Sequence, residues 1–280
     1  MGFCKYVLVT AALGLAGQMA TAAVCDDFYA RLPNVKMALC LDAKLQPTLA
    51  RSVKDRVIYT TDIRPIDARL RVLVVGGIHG DELSSTSVAL HWIALARGAP
   101  SQTHWRFIPA LNPDGLFGRP SRRVNANGVD LNRNFPTPGW EKESVVYWQQ
   151  RTLKDPRRWP GKTALSEPES KFLVDAMDRF KPHLIVSIHA PYGVLDFDGP
   201  VMPPTRLGRL YLDQVGVFPG SLGNYGGVHK RMPVVTIELP NALKTPPDAE
   251  IKRMWLDLRR WMDQTIKPGI TAQGMVETPG

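Results

Sequence analysis

Three short apolar runs rich in β-branched residues, at 70–76, 183–189 and 233–239, dominate the middle of this chain. None has a helical period, and each is strand-length, the mark of strands buried on both faces of a parallel sheet. A fourth strand is expected at 105–110, closing on the turn Asn112-Pro-Asp-Gly115. Helical patterns alternate with these runs. Residues 82–97 carry Val88, Trp92 and Leu95 on one stripe. Ser166-Glu-Pro-Glu169 reads as a capping box with proline in the first turn, opening a helix to 180. Thr245-Pro-Pro-Asp248 begins a last helix, amphipathic through Ile251, Trp255, Leu258 and Met262. The alternation predicts an α/β fold: a mixed, mostly parallel sheet with helices on both faces. With 280 residues, 44% of them hydrophobic, the chain has material for one sizeable core.

Ligands bind such sheets beyond the carboxyl ends of the strands. His79, His189 and Glu238 lie at or just past those ends, and His79-Gly-Asp-Glu82 forms one tight turn. A hydrolytic zinc site takes three protein ligands, commonly two His and one carboxylate, with a fourth position open to water. His79, Glu82 and His189 fill those roles for one Zn2+ ion. Amide hydrolysis also needs a group to take and return a proton, and Glu238 supplies it. Singly, each of these is an unremarkable polar residue at a strand end; jointly they read as a site. The remaining histidines fall inside a helix (His91), at strand starts (His104, His183) or in a Gly-rich connection (His229), with no second metal spacing.

The first residues form a separate unit. Lys5 precedes an apolar segment and the small-residue site Ala20-Thr21-Ala22, the layout of a secretory signal peptide cleaved after Ala22. Residues 1–22 are therefore expected to be a signal peptide and 23–280 the catalytic domain, periplasmic or secreted, with no stable membrane insertion after cleavage. An uncleaved anchor reaching Val24 is the competing reading. Cys25 and Cys40 are expected to bridge in an oxidising compartment. Cleavage would leave 34 basic against 26 acidic residues, a formal +8. That excess favours acidic partners such as anionic wall polymers. Nucleic acid is excluded as a partner, because the Lys and Arg residues are dispersed and no recognition motif is present.

The ordered motifs His79-Gly-Asp-Glu82, Asn112-Pro-Asp-Gly115, Arg123-Val-Asn-Ala-Asn-Gly-Val-Asp-Leu-Asn-Arg-Asn-Phe135, Ser187-Ile-His189 and Thr236-Ile-Glu-Leu239 resemble those of the zinc metallocarboxypeptidase family. The resemblance implies a single zinc-peptidase domain of the carboxypeptidase A type. It implies that Asp130 orients the first His ligand; an Asx-type loop hydrogen bond is the plainer alternative. It also implies that Arg123 stabilises the oxyanion, with adjacent Arg122 leaving the register open by one. Asn132 and Arg133 match the pair that binds the substrate's free carboxylate. The stretches 125–136, 166–169 and 219–223 resemble members that cleave the γ-D-glutamyl–meso-diaminopimelate bond of peptidoglycan peptides. The digestive carboxypeptidases carry a mobile tyrosine where this chain has 215–218, which contains none. Tyr225 is a candidate pocket residue, with core packing the plainer reading. Rival readings are a carboxypeptidase acting on L-peptides, an N-acyl amino-acid deacylase with the same metal site, and a wall-binding protein without activity.

Overall fold

The computed structural model describes residues 22–32, 34–99 and 101–267. The expected signal segment lies outside these residues, apart from Ala22. The chain is helical over 22–31 (α1), then forms α2 (Met37–Asp42), β1 (Gln46–Arg51), β2 (Val57–Ile63), β3 (Leu70–Val75), α3 (Leu83–Gly98) and β4 (Thr103–Ile108). The short helices α4 (Pro113–Leu116) and α5 (Trp140–Val146) flank a long irregular segment. They are followed by α6 (Pro168–Phe180), β5 (Leu184–His189), β6 (Leu195–Asp198), the small strands β7 (Arg206–Leu207) and β8 (Leu210–Tyr211), β9 (Val234–Glu238) and α7 (Asp248–Thr265).

Seven strands form one sheet in the order β1-β2-β4-β3-β5-β9-β6. The four central strands β4, β3, β5 and β9 are mutually parallel, as their apolar runs predict, while β1, β2 and β6 add antiparallel edges. Burial on both faces explains those runs. Along β3, Leu70, Val72 and Val74 face one core with Trp92 of α3 and Trp255 of α7, while Leu73 and Val75 face the other with Leu173 and Met177 of α6. The first core is closed by aromatic contacts of Trp255 with Trp105 (4.5 Å) and Trp92 (5.3 Å). Trp92 Nε1 also donates to the Ile251 carbonyl at 3.2 Å, fixing α3 against α7. No helix among the described residues is long and apolar enough to cross a membrane.

Two local expectations need correction. β4 ends at Ile108, two residues before the expected 110. Proline at 109 has no N–H to offer the ladder, so pairing stops there. The capping box at Ser166 does not form: Glu167 is the N-cap of α6 and makes no side-chain cap. Ser166 Oγ instead donates to Glu167 Oε1 (2.7 Å), and buried Glu169 accepts from the Val53 amide (3.2 Å) and from Asn125 Nδ2 (3.1 Å). A stronger tertiary demand has taken both capping side chains.

Cys25 and Cys40 are bridged, closing a loop with a sequence separation of 15. Both are buried with Phe28 and Leu32 against the α3 side of the sheet. Closing a loop of that size restricts the unfolded chain by about 3 kcal/mol. Replacing both cysteines by serine is expected to lower unfolding free energy by about that amount in urea titrations. An unchanged midpoint would mean that the bridge contributes nothing to stability.

Candidate metal centre

The turn after β3 brings two ligand side chains onto one side. His79 ends it, Glu82 is the residue before α3, and both are buried. Gly80 between them lies against the 112–115 turn: an added Cβ would stand 2.2 Å from the Gly115 carbonyl carbon. Only glycine permits that approach. Asn112 Oδ1 accepts from the Gly115 amide (2.9 Å), while Asn112 Nδ2 (3.1 Å) and the Gly80 amide (3.3 Å) both donate to the Arg123 carbonyl. The Asn-Pro-Asp-Gly motif therefore fastens the long loop to the metal turn. His189 and Glu238 end β5 and β9, where they are paired Cα partners in the parallel register.

The imidazoles of His79 and His189 and the carboxylate of Glu82 converge. His79 Nδ1 lies 2.8 Å from Glu82 Oε1 and 3.1 Å from His189 Nδ1, which is 3.1 Å from Glu82 Oε2. The outward nitrogens are occupied: His79 Nε2–H donates to Asp130 Oδ1 (3.0 Å) and His189 Nε2–H to Ser187 Oγ (2.9 Å). With protons on both Nε2 atoms, each Nδ1 presents a lone pair toward the same point as the carboxylate. Burial works against ionisation of Glu82, yet the adjoining imidazoles hold its carboxyl well below the usual range. A cation satisfies all three groups at once, and two His plus a carboxylate is the donor set of a hydrolytic zinc site. Among the described residues, this is the group of His, Cys, Asp and Glu placed to hold a metal ion.

Asp130 makes the contacts that both of its readings require. Its Oδ1 accepts from His79 and from the Asn132 amide (3.0 Å), and its Oδ2 accepts from Arg123 Nε (3.0 Å). Despite burial, Arg123 and His79 keep its carboxyl well below the ordinary value. Arg123 also reaches Glu82 Oε1 at 3.5 Å, whereas Arg122 is exposed and does not line the cavity.

Glu238, Arg123, Asn132 and Arg133 line one cavity with His79 and Glu82. Glu238 Oε2 is buried without a partner. Burial holds the Glu238 carboxyl above the ordinary range, with the two imidazoles opposing and Glu82 adding to the rise. Arg133 is buried beneath Phe218, whose ring centre lies 4.6 Å from the guanidinium carbon, and its Nε has no partner. Asn132 Oδ1 accepts from the Leu222 amide (2.8 Å), which leaves its Nδ2 protons for a ligand.

Tyr225 is not brought to this cavity. It stacks on Phe135 at 6.0 Å within the core on the α6 side, so the pocket role is corrected to packing, the plainer of the two readings. The 215–218 stretch does contribute lining, through Val215, Gly216 and Phe218. The tyrosine at the cavity is Tyr192, 57% exposed, whose backbone N–H donates to Glu238. Sequence reasoning also missed Arg158, Asp196 and Asp198. For the two aspartates a signal existed: Leu195-Asp-Phe-Asp198 alternates between Gly193 and Gly199, the pattern of a short half-buried strand.

Comparison with known proteins adds to this geometry. Residues 46–196 match the zinc carboxypeptidase family model. Murein peptide amidase A of Vibrio campbellii is 32% identical over 183 residues, covering 62% of this chain and 71% of that protein. Murein peptide amidase A of Escherichia coli K12 is 36% identical over 134 residues, 47% of this chain and 54% of that protein. The crystal structure of a murein-tripeptide amidase from Escherichia coli O157 superposes with a TM-score of 0.55 at 28% identity, covering 76% of this chain and 90% of its own. Carboxypeptidase A of Helicoverpa armigera shares the fold alone, at 18% identity and a TM-score of 0.59 over 80% of this chain and 70% of its own.

The hydrogen bond from His79 to Asp130 predicts a measurable effect on the metal. Asp130→Asn is expected to weaken zinc binding roughly 10–100-fold, the usual effect of losing such a partner. Competition with a chromophoric chelator measures it; unchanged affinity would show that His79 is held without help from the carboxylate.

Proposed function

The chain belongs to the zinc carboxypeptidase family and is a zinc metallopeptidase resembling the murein peptide amidases, and we propose that its substrate is a peptidoglycan stem peptide cut at the γ-D-glutamyl–meso-diaminopimelate bond. The observation that carries the reading is the unpartnered Oε2 of Glu238, buried in one cavity with the ligand cluster and with Arg133. The two murein peptide amidase relatives support the choice of substrate. The Cys25–Cys40 bridge and the apolar start of the chain support export to an oxidising, periplasmic or extracellular compartment.

In this reading His79, Glu82 and His189 hold zinc, which when bound polarises the scissile carbonyl and acidifies water. Arg133 and Asn132 bind the carboxylate of the diaminopimelate residue, fixing the amide over the cluster. Glu238 takes a proton from the attacking water, a transfer favoured by a carboxyl whose affinity for protons burial has raised. As the amide bond breaks, Glu238 returns that proton to the leaving nitrogen. Arg123 neutralises the oxyanion of the tetrahedral intermediate, and its pairing with Asp130 keeps its fork oriented in advance. Burial works against the charge on Arg123, but Asp130 and Glu82 secure it.

Two measurements test this. The zinc-loaded protein is expected to release diaminopimelate from L-Ala-γ-D-Glu-meso-diaminopimelate and to stop when a chelator is added; cleavage of only a hippuryl L-peptide would overturn the substrate. Glu238→Gln should lower kcat by roughly 10²–10⁴-fold with zinc content near that of the parent. Loss of metal from that variant would reassign Glu238 to the ligand set.

A further inference from the structure

Helices α1 and α2 precede residue 46, where the match to the family model begins, yet α1 reaches the loop that carries Arg123. On α1, Cys25, Phe28 and Leu32 recur at helical spacing and are buried against the α3 side of the sheet. The Cys25–Cys40 bridge ties that face to α2. Arg31 follows Phe28 by three residues and so stands beside it on the helix. Phe28 meets Phe117 at 5.5 Å between ring centres. The Arg31 side chain then binds the segment 116–121. Its Nε donates to the Leu116 carbonyl (2.9 Å), and its Nη2 donates to the Gly118 carbonyl and to Ser121 Oγ.

These contacts brace a closed excursion of the chain. Ser121 Oγ donates to the Leu116 carbonyl (3.4 Å), and at the neck the Arg122 amide donates to the Gly115 carbonyl (3.0 Å). Gly118 permits the closure: an added Cβ would stand 2.9 Å from the Pro120 carbonyl oxygen. The β1–β2 connection holds the same loop. There the Lys54 amide donates to Asp114 Oδ2 (2.9 Å), and the Arg56 guanidinium lies 3.6 Å from Asp114 Oδ1 and 5.4 Å from the Phe117 ring centre. Arg123 follows the neck directly. Its carbonyl is held by Gly80 and Asn112, and its guanidinium by Asp130. A side chain pinned at its head keeps one place only if the backbone it leaves from is fixed as well. Arginine suits the brace because its planar fork meets several acceptors at once.

We infer that Arg31 is a positioning residue for the hydrolysis: by clamping 116–121 it fixes the backbone from which Arg123 projects. The inference rests on the reading that Arg123 neutralises the oxyanion. Arg31 is not among the residues that line the cavity, and it contacts none of the three metal ligands. Its removal therefore leaves the grip of Arg133 on the substrate carboxylate intact and weakens the step in which the oxyanion forms.

The test is a double-mutant cycle. On L-Ala-γ-D-Glu-meso-diaminopimelate, kcat and KM are measured for the zinc-loaded parent, Arg31→Ala, Arg123→Ala and the double variant. Arg123→Ala should lower kcat roughly 10²–10³-fold. Arg31→Ala should lower it roughly 10–100-fold in the parent, with KM and zinc content unchanged, and hardly at all once Arg123 is gone. An equal fall in both backgrounds, no fall in either, a change confined to KM, or loss of zinc would overturn the assignment. Should Arg31→Ala fail to fold, Arg31→Lys and Ser121→Ala, each removing part of the clamp, replace it in the cycle under the same criteria. If Arg123→Ala turns over like the parent, the oxyanion reading has failed and the positioning role falls with it. If no γ-D-glutamyl peptide is cut, the choice of substrate fails by itself, and the cycle on a hippuryl L-peptide decides for Arg31.

Discussion

Two imidazole nitrogens and an ionised carboxylate cannot share one point inside a protein unless something positive joins them. At His79, His189 and Glu82, neutral imidazoles whose N–H groups face Asp130 and Ser187 bring only acceptor atoms together, at contacts of 2.8 and 3.1 Å. Counting Asp130, the buried cluster holds two carboxylates against the single guanidinium of Arg123. A divalent cation answers both the missing donor and the missing charge. The surrounding structure follows from that demand: Gly80 for close docking, Arg123 as counter-charge to Asp130, and parallel strands that end together.

The loop that supplies Arg123, Asp130, Asn132 and Arg133 runs from 117 to 139 with little regular structure. Polar anchoring orders it. Asn125 Nδ2 donates to Glu167 (2.6 Å) and Glu169 (3.1 Å), and Asn127 Nδ2 donates to Glu167 (2.8 Å). Asn134 Nδ2 reaches the carbonyls of Pro160 (2.8 Å) and Thr163 (2.9 Å), and the Phe135 amide donates to Gly220 (3.0 Å). The asparagines are thus a substitute for a sheet ladder, satisfying backbone and carboxylates that would otherwise be buried bare. They hold Arg123, Asp130, Asn132 and Arg133 with the single 3-10 turn Leu131–Arg133 as the regular structure beneath them.

What was legible in the chain follows from this division of labour. Strands buried on both faces must be apolar throughout, so β3, β5 and β9 announced themselves, and their terminal His189 and Glu238 with them. The antiparallel edges β1, β2 and β6 mix polar and apolar residues and blend into the surrounding loops. The position of Tyr225 after a Gly-Ser motif admits a pocket role as well as packing, and the irregular helical turn Gly223–His229 decides for packing by turning its ring onto Phe135. The capping box failed for a related reason. A local hydrogen-bond pattern says nothing of Asn125, 44 residues away from Glu169, which claims the side chain that the cap required. Sequence patterns report what a segment does for itself; long-range partners are visible only in three dimensions.

Net charge illustrates the same limit at the level of function. A formal +9 suggests an affinity for acidic partners, yet charge spread over a surface is screened within about 8–10 Å at ordinary ionic strength. Discrimination requires charges inside the cavity, where water is scarce and screening weak. There the chain places Arg133 and Arg123 with Asn132, and carboxylates at Asp196, Asp198 and Glu238. An environment of both signs suits a ligand that is itself a zwitterion, because each group offsets the desolvation of its counterpart. A purely anionic ligand would meet the aspartates uncompensated and a purely cationic one the arginines. It is therefore the arrangement of fixed charges along the cavity walls, more than the basic excess of the whole chain, that bears on what this fold admits.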